Sequence, residues 1–191
     1  RYDDPVEGLK FILSPPLRAK EHQEAIWQGI KDGTLQVIAT DHCSFDFHGD
    51  KQNGKDDFTK CPNGAPGVET RMPIVFSEGV SKGRLSLNEF AAVTSTNPAK
   101  IFGMYPKKGV LAPGSDADIV LMNPDMEVTI TKNILHENVD YTPYEGIQVK
   151  GWPVMTMVRG QAVVENERLQ VPLGFGRYIN RKPVKYTELL K

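Results

Sequence analysis

Asp41, His42 and Cys43 stand in a row where an apolar run ends, in the stretch VIATDHCSF (residues 37–45). Aspartate, histidine and cysteine all bind divalent metals, and aspartate and histidine also serve as general bases. An extended chain turns successive side chains to opposite faces. Asp41 and Cys43 would then share one side, and His42 would take the other with Thr40. That alternation argues against Asp41 and His42 gripping one ion together. It also argues against a compact zinc site built from His42, Cys43, His48 and Cys61, whose spacing fits no usual zinc pattern. No general base is identifiable beside Cys43, which makes it pocket lining rather than a nucleophile. An aspartate at a strand end serves equally well as a turn or helix cap, so residue type and position leave both roles open.

To stand at the mouth of a site, Asp41 needs a strand beneath it. LKFIL (residues 9–13) reads as a short buried strand stopped by Pro15 and Pro16, with Ser14 at its end. Residues 21–32 place Ala25, Ile26, Trp27 and Ile30 on a helical stripe that Gly33 closes. LQVIAT (residues 35–40) reads as the next strand. Strand, helix and strand within about 30 residues form a βαβ unit, and so a parallel sheet with covered faces. In a parallel α/β barrel, chemistry sits at the C-terminal ends of the strands, where Ser14 and Asp41 both fall. Asn63 lies between Pro62 and Gly64, in a turn expected to expose backbone N–H and C=O groups. The intervening residues 46–60 are polar, with few apolar anchors, and a loop of that length is usually functional or disordered. Asp56 and Asp57 read as solvated charges within it.

Further along, Ser86 and Glu89 have capping-box spacing, and Asn97 with Pro98 reads as the N-cap and first residue of another helix. The character changes after Gly103. Val110–Leu111 and residues 119–122 are β-like runs around a Pro-Gly turn, and residues 146–169 repeat the theme, with 151–153 and 159–161 as turns. Asp116 and Asp118 read as turn and strand-start residues rather than a metal pair.

The chain has 191 residues, with 39% hydrophobic and 25% charged. Lys plus Arg total 23 against 24 for Asp plus Glu, a net charge of −1, so nothing draws it to nucleic acid or to a membrane surface. It has two cysteines and no CxxC pair, which points to a reducing, cytoplasmic setting. The start, RYDDPVEGLK, lacks a Met and an apolar signal core, and reads as entered mid-sequence.

Seven stretches occur in order: SPPLR (14–18), TDHCSF (40–45), GKDDFTK (54–60), PNGAPGVETRM (62–72), TSTNPAKIFG (94–103), KKGVLAPGSDADIVL (107–121) and YEGIQVKGWPV (144–154). Together they resemble the C-terminal part of the dihydropyrimidinase/D-hydantoinase family of cyclic amidohydrolases, over nearly the whole chain. The resemblance implies an α/β fold: the C-terminal part of a (β/α)8 TIM barrel over residues 1–104, followed by strands of a small β-sandwich over 105–169. A tail over 170–191 would take part in oligomer contacts, in a homodimer or homotetramer. It implies two divalent metal ions, zinc as a rule, and Asp41 as one ligand and as the proton shuttle. The HxH pair, the carbamylated lysine and two further histidines of the family match nothing here, and His22, His42, His48 and His136 fall outside those motifs. Main-chain groups at Ser14 and Asn63 would orient the substrate, a cyclic diamide such as a dihydropyrimidine or a hydantoin, which opens to an N-carbamoyl amino acid. The 191 residues on their own would be inactive.

Two other readings accompany this one. The collapsin response mediator proteins share the fold without catalysis, but they generally lack the acid before the HC dipeptide, which this chain keeps. An allantoinase or dihydroorotase would keep the chemistry and change the ring.

Overall fold

The first α-helix, α1 (His22–Lys31), lies within the expected span and buries Ile30, with Trp27 half-buried beside it. Ile26 faces solvent, so the working stripe is narrower than the apolar pattern. The computed structural model describes residues 2–184. Among the described residues its α-helices all end by Ile101 and its strands all lie from Ile119 onward, with one short 3-10 helix, Lys132–Ile134, between β-strands.

Two expected strands are not strands. Glu7–Phe11 forms a 3-10 helix, and residues 12–14 leave it extended. Residues 36–40 have no regular secondary structure and join no ladder. Some of their polar groups are satisfied elsewhere: the Ile38 N–H donates to Val93 O at 3.1 Å, and Ile38 O accepts from Arg71 Nη1 at 2.8 Å. The Gln36 carbonyl accepts from Asn97 Nδ2 at 2.9 Å. A strand is defined by its partner, and here helices and side chains take that place. No parallel pairing occurs among the described residues.

Helix α2 (Arg71–Val75) runs on as a π-helical segment, Phe76–Ser81. Helix α3 (Leu87–Ala91) starts at the expected capping box: Ser86 Oγ accepts from the Glu89 N–H, and the Glu89 carboxylate accepts from the Ser86 N–H at 2.7 Å. Ser86→Ala should cost about 1 kcal/mol. A melting curve of the full-length protein should show this as a drop of about 2–4 °C, and an unchanged midpoint would mean that the cap is idle.

Asn97 corrects an expectation. It has helical dihedrals (φ −65°, ψ −45°) and is no N-cap. Instead α3 widens into a π-helical segment, Ala92–Thr96, and continues as α4 (Asn97–Ile101). Pro98 has no N–H to donate to the preceding turn, and the wider turn precedes it.

The sheet is four-stranded and antiparallel, in the order β1 (Ile119–Thr129), β2 (Gln148–Val158), β3 (Gln161–Glu165), β4 (Arg168–Leu169). Arg159 and Gly160, both with positive φ, make the β2–β3 turn as expected. Val110 lies in a bend and Leu111 has no regular structure, and both are outside the sheet. Residues 151–153 are not a turn: they lie inside β2, opposite a register shift in β1. Gly151 has φ +101°, and a Cβ there would come within 2.1 Å of the Phe76 ring. The glycine lets the sheet press directly onto α2's continuation, where Phe76 also meets Phe90 edge-on at 5.4 Å.

Asp118 sits just before β1, as expected, and accepts from the Arg159 N–H at 2.9 Å. Lys108 bridges it to Asp116, whose carboxylate is 3.0 Å from Lys108 Nζ. The segment after β4 packs on this chain: Arg159 Nη2 donates to Phe175 O at 2.9 Å, and the Lys182 N–H to Gly103 O at 3.0 Å. The end of the expected tail, residues 185–191, lies outside the described residues.

Candidate active site

Ser14, Asp41, Cys43 and Asn63 line one cavity of about 580 Å³, with Tyr144 and Pro143 on its far wall. Three segments far apart in sequence meet there, tied by backbone hydrogen bonds. The Gly64 N–H donates to Ile12 O at 3.2 Å, and the Cys43 N–H to Ala65 O at 3.2 Å. Gly64 has φ +150°, and a Cβ on it would stand 2.4 Å from Cys43 O, so glycine is required where the two segments touch.

Asp41 has φ +48°, a left-handed conformation. The extended periodicity therefore breaks at that residue, and the alternation holds only in part: Asp41 and Cys43 line the cavity and His42 does not, but Thr40, expected beside His42, lines it as well. The His42 ring turns the other way, and its Nδ1 accepts from the N–H groups of Gly67 at 3.1 Å and Val68 at 3.3 Å. A nitrogen accepting two N–H bonds carries no proton, so its 3.8 Å approach to Glu137 Oε1 is no ion pair. The Glu137 side chain is 5% exposed, and its Oε1 accepts from the Glu69 N–H at 3.0 Å. Burial, and then the Glu137 charge, push the Tyr144 phenol up.

Asp41 takes part in no hydrogen bond or ion pair among the described residues, and its carboxylate is free to meet a ligand. The backbone N–H groups of Ser14 and Asn63 also have no acceptor within the described protein. Both residues are exposed at the cavity. No cluster of three or more His, Cys, Asp or Glu residues able to hold a metal ion occurs among the described residues. A bare carboxylate at a cavity wall fits a metal as one contributed ligand, not as a complete site.

The other candidate ligands have partners elsewhere. His48 Nδ1 lies 2.6 Å from Asp140 Oδ2. Burial raises the Asp140 pKa, but hydrogen bonds from the His48 and Phe47 N–H groups outweigh it and leave the carboxyl lowered. Cys61 is buried with Leu9, Phe47 and Tyr141. His136 Nδ1 lies 2.8 Å from Glu69 Oε1, and that carboxylate raises the imidazole's pKa.

Residues 46–60 are better anchored than their polarity implied. Phe47 is core, Asp57 caps a short 3-10 helix, Phe58–Lys60, and Lys51 is wholly buried. Lys51 Nζ donates to Ile12 O and to Pro62 O, each at 2.7 Å. Nothing in the sequence signals it, because a lysine in a polar loop reads as solvated.

The family model of the amidohydrolase family matches residues 8–163. The D-hydantoinase of Geobacillus stearothermophilus is 48% identical over 184 residues, covering 96% of this chain and 39% of that enzyme. A D-phenylhydantoinase of Escherichia coli O1:K1 is 47% identical over 180 residues, covering 94% and 39%. The crystal structure of dihydropyrimidinase from Brevibacillus agri NCHU1002 superposes with a TM-score of 0.92 at 50% identity, covering 94% of this chain and 39% of that one. The chain thus spans about 39% of the length of the relatives it matches. A family model over residues 8–163, near-50% identity and a shared backbone over nearly the whole chain leave one conclusion: this chain belongs to the amidohydrolase family, beside the D-hydantoinases and dihydropyrimidinases it resembles.

Proposed function

We propose that this chain forms part of a metal-dependent hydrolase that opens a cyclic amide, a 5,6-dihydropyrimidine or a 5-substituted hydantoin, to an N-carbamoyl amino acid. The convergence of Ser14, Asp41 and Asn63 on one cavity carries the reading. Residues 1–104 are read as the last βα units of the barrel. The segments 12–14 and 36–40, which join no ladder here, would pair with strands from outside these residues. Residues 105–169 are read as the sandwich segment. The free ligand capacity of Asp41 supports its place in a centre of two divalent ions, zinc by preference, whose other ligands, a carbamylated lysine among them, come from outside residues 1–191. Residues 170–191 are read as an oligomer contact, and the exposed side chains of Leu173 and Tyr178 fit that role.

Bound metal would supply a water acidified towards neutrality and a Lewis-acid contact for the ring carbonyl. Asp41 accepts the proton as the water attacks the amide carbon, and then delivers it to the ring nitrogen as the C–N bond breaks. One carboxylate serves as base and then acid. Backbone groups at Ser14 and Asn63 read the ring's fixed donor and acceptor edge. Rigid amides do this at small entropic cost, and they hold the scissile carbonyl in place.

The test is turnover. Full-length protein supplied with zinc should convert dihydrouracil to N-carbamoyl-β-alanine, or 5-methylhydantoin to N-carbamoylalanine. Residues 1–191 produced alone should convert neither. Full-length, metal-loaded protein inert towards both rings would refute the reading and favour a non-catalytic relative of the same fold.

A further inference from the structure

The Lys51 side chain is 0% exposed, and no carboxylate pairs with it among the described residues. Burying an ammonium without a counter-charge is costly, and a neutral side chain would fill the space more cheaply. Burial pushes its pKa down. What it gains is two carbonyl partners, one on each of two loops. Ile12 lies two residues before Ser14, and Pro62 directly precedes Asn63. These are the loops whose backbones are read above as the ring-orienting edges.

The Pro62 contact has a sharper consequence. Pro62 C=O and Asn63 N–H belong to one planar peptide unit, which is not among the cis bonds. In a trans peptide the two groups point in opposite directions. A cation fixed on the carbonyl therefore aims the Asn63 N–H away from itself. It also polarises the unit and makes that N–H a stronger donor. On the other loop, Ile12 O accepts from both Lys51 and the Gly64 N–H, so the ammonium and the Asn63 turn share an anchor.

We propose that Lys51 is a positioning residue: one buried ammonium holds the loops of Ser14 and Asn63 in register and aims the Asn63 N–H at the ring. This rests on the functional reading above and adds to it a residue that touches neither ring nor metal. Its loss should be felt in ring binding more than in the proton transfer at Asp41.

The experiment compares wild type, Lys51→Met and Lys51→Arg in the full-length protein. KM and kcat are measured with hydantoin, and calorimetry measures hydantoin binding to chelator-treated protein. Lys51→Met should raise KM about 10-fold or more and lower kcat/KM by roughly 100-fold. Hydantoin affinity without metal should fall in parallel, and metal content after reloading should stay at the wild-type level. Lys51→Arg keeps the charge and the donors and should recover part of the loss. Wild-type KM and hydantoin affinity in Lys51→Met would overturn the assignment, as would a fall in kcat alone. If Lys51→Met does not melt cooperatively, Lys51→Gln decides: a raised KM supports the assignment and an unchanged one overturns it. A wild-type protein that neither binds nor opens the ring removes the functional reading and this assignment together. A wild type that does both, beside an unaffected Lys51 variant, overturns the assignment alone.

Discussion

Asp41→Asn in the full-length protein should lower kcat by roughly 100- to 10,000-fold, the range that a positioned acid–base group contributes. Asparagine is the informative replacement. At φ +48° most side chains are strained, but asparagine tolerates this left-handed conformation nearly as well as aspartate. The backbone of residues 40–43 should therefore stay in place, together with the Cys43–Ala65 bond that holds the cavity. Asp41→Ala would add backbone strain to the lost carboxylate and confuse the two. Among the described residues no protein group bonds to the Asp41 carboxylate, so in metal-free protein Asp41→Asn should change the stability by no more than a surface substitution does, about 0.5 kcal/mol. Steady-state turnover of the metal-loaded protein and a thermal melt of the metal-free protein check both halves. Near-normal turnover would rule out the proton-shuttle role. A large loss of stability would show that Asp41 has a structural task instead.

Gly151→Ala should be strongly destabilising, because the added methyl collides with the Phe76 ring. A Cβ at residue 151 would lie 2.1 Å from Phe76 Cδ1 and 2.5 Å from Cε1. Phe76 cannot swing away cheaply, because it is 4% exposed and packed against Phe90. The backbone adds its own cost at φ +101°, a region that L-residues avoid. Strain of about 1–3 kcal/mol joins overpacking of about 1–3 kcal/mol, for roughly 2–6 kcal/mol in all. That is a large part of the 5–15 kcal/mol typical of a folded domain. A melt of the full-length variant should drop by at least several degrees, since about 2–4 °C is lost per kcal/mol in a domain of 150–250 residues. Combining it with Phe76→Leu should restore part of the loss, since the smaller side chain relieves the collision but not the strained φ. A midpoint within 2 °C of wild type for Gly151→Ala alone would show that β2 does not press on Phe76 as described.

The sequence by itself determined features made by neighbours within a few residues. The helix His22–Lys31, the capping box at Ser86 and Glu89, and the Arg159–Gly160 turn follow from side chains and dihedrals that act locally. The motifs also determined the family, and with it which aspartate, serine and asparagine to follow. Only the tertiary structure decided what depends on distant partners. It brought Ser14, Asp41 and Asn63 to one cavity through backbone bonds between segments that neither composition nor periodicity links. It carried the helix through Asn97, where local rules place a start, and drew Gly151, Trp152 and Pro153 into a strand, where they place a turn. It also buried Lys51, whose carbonyl partners lie 39 and 11 residues away. A side chain's propensity is a property of its own few bonds, whereas the cost of burying its charge is set by whichever groups the whole chain brings to meet it.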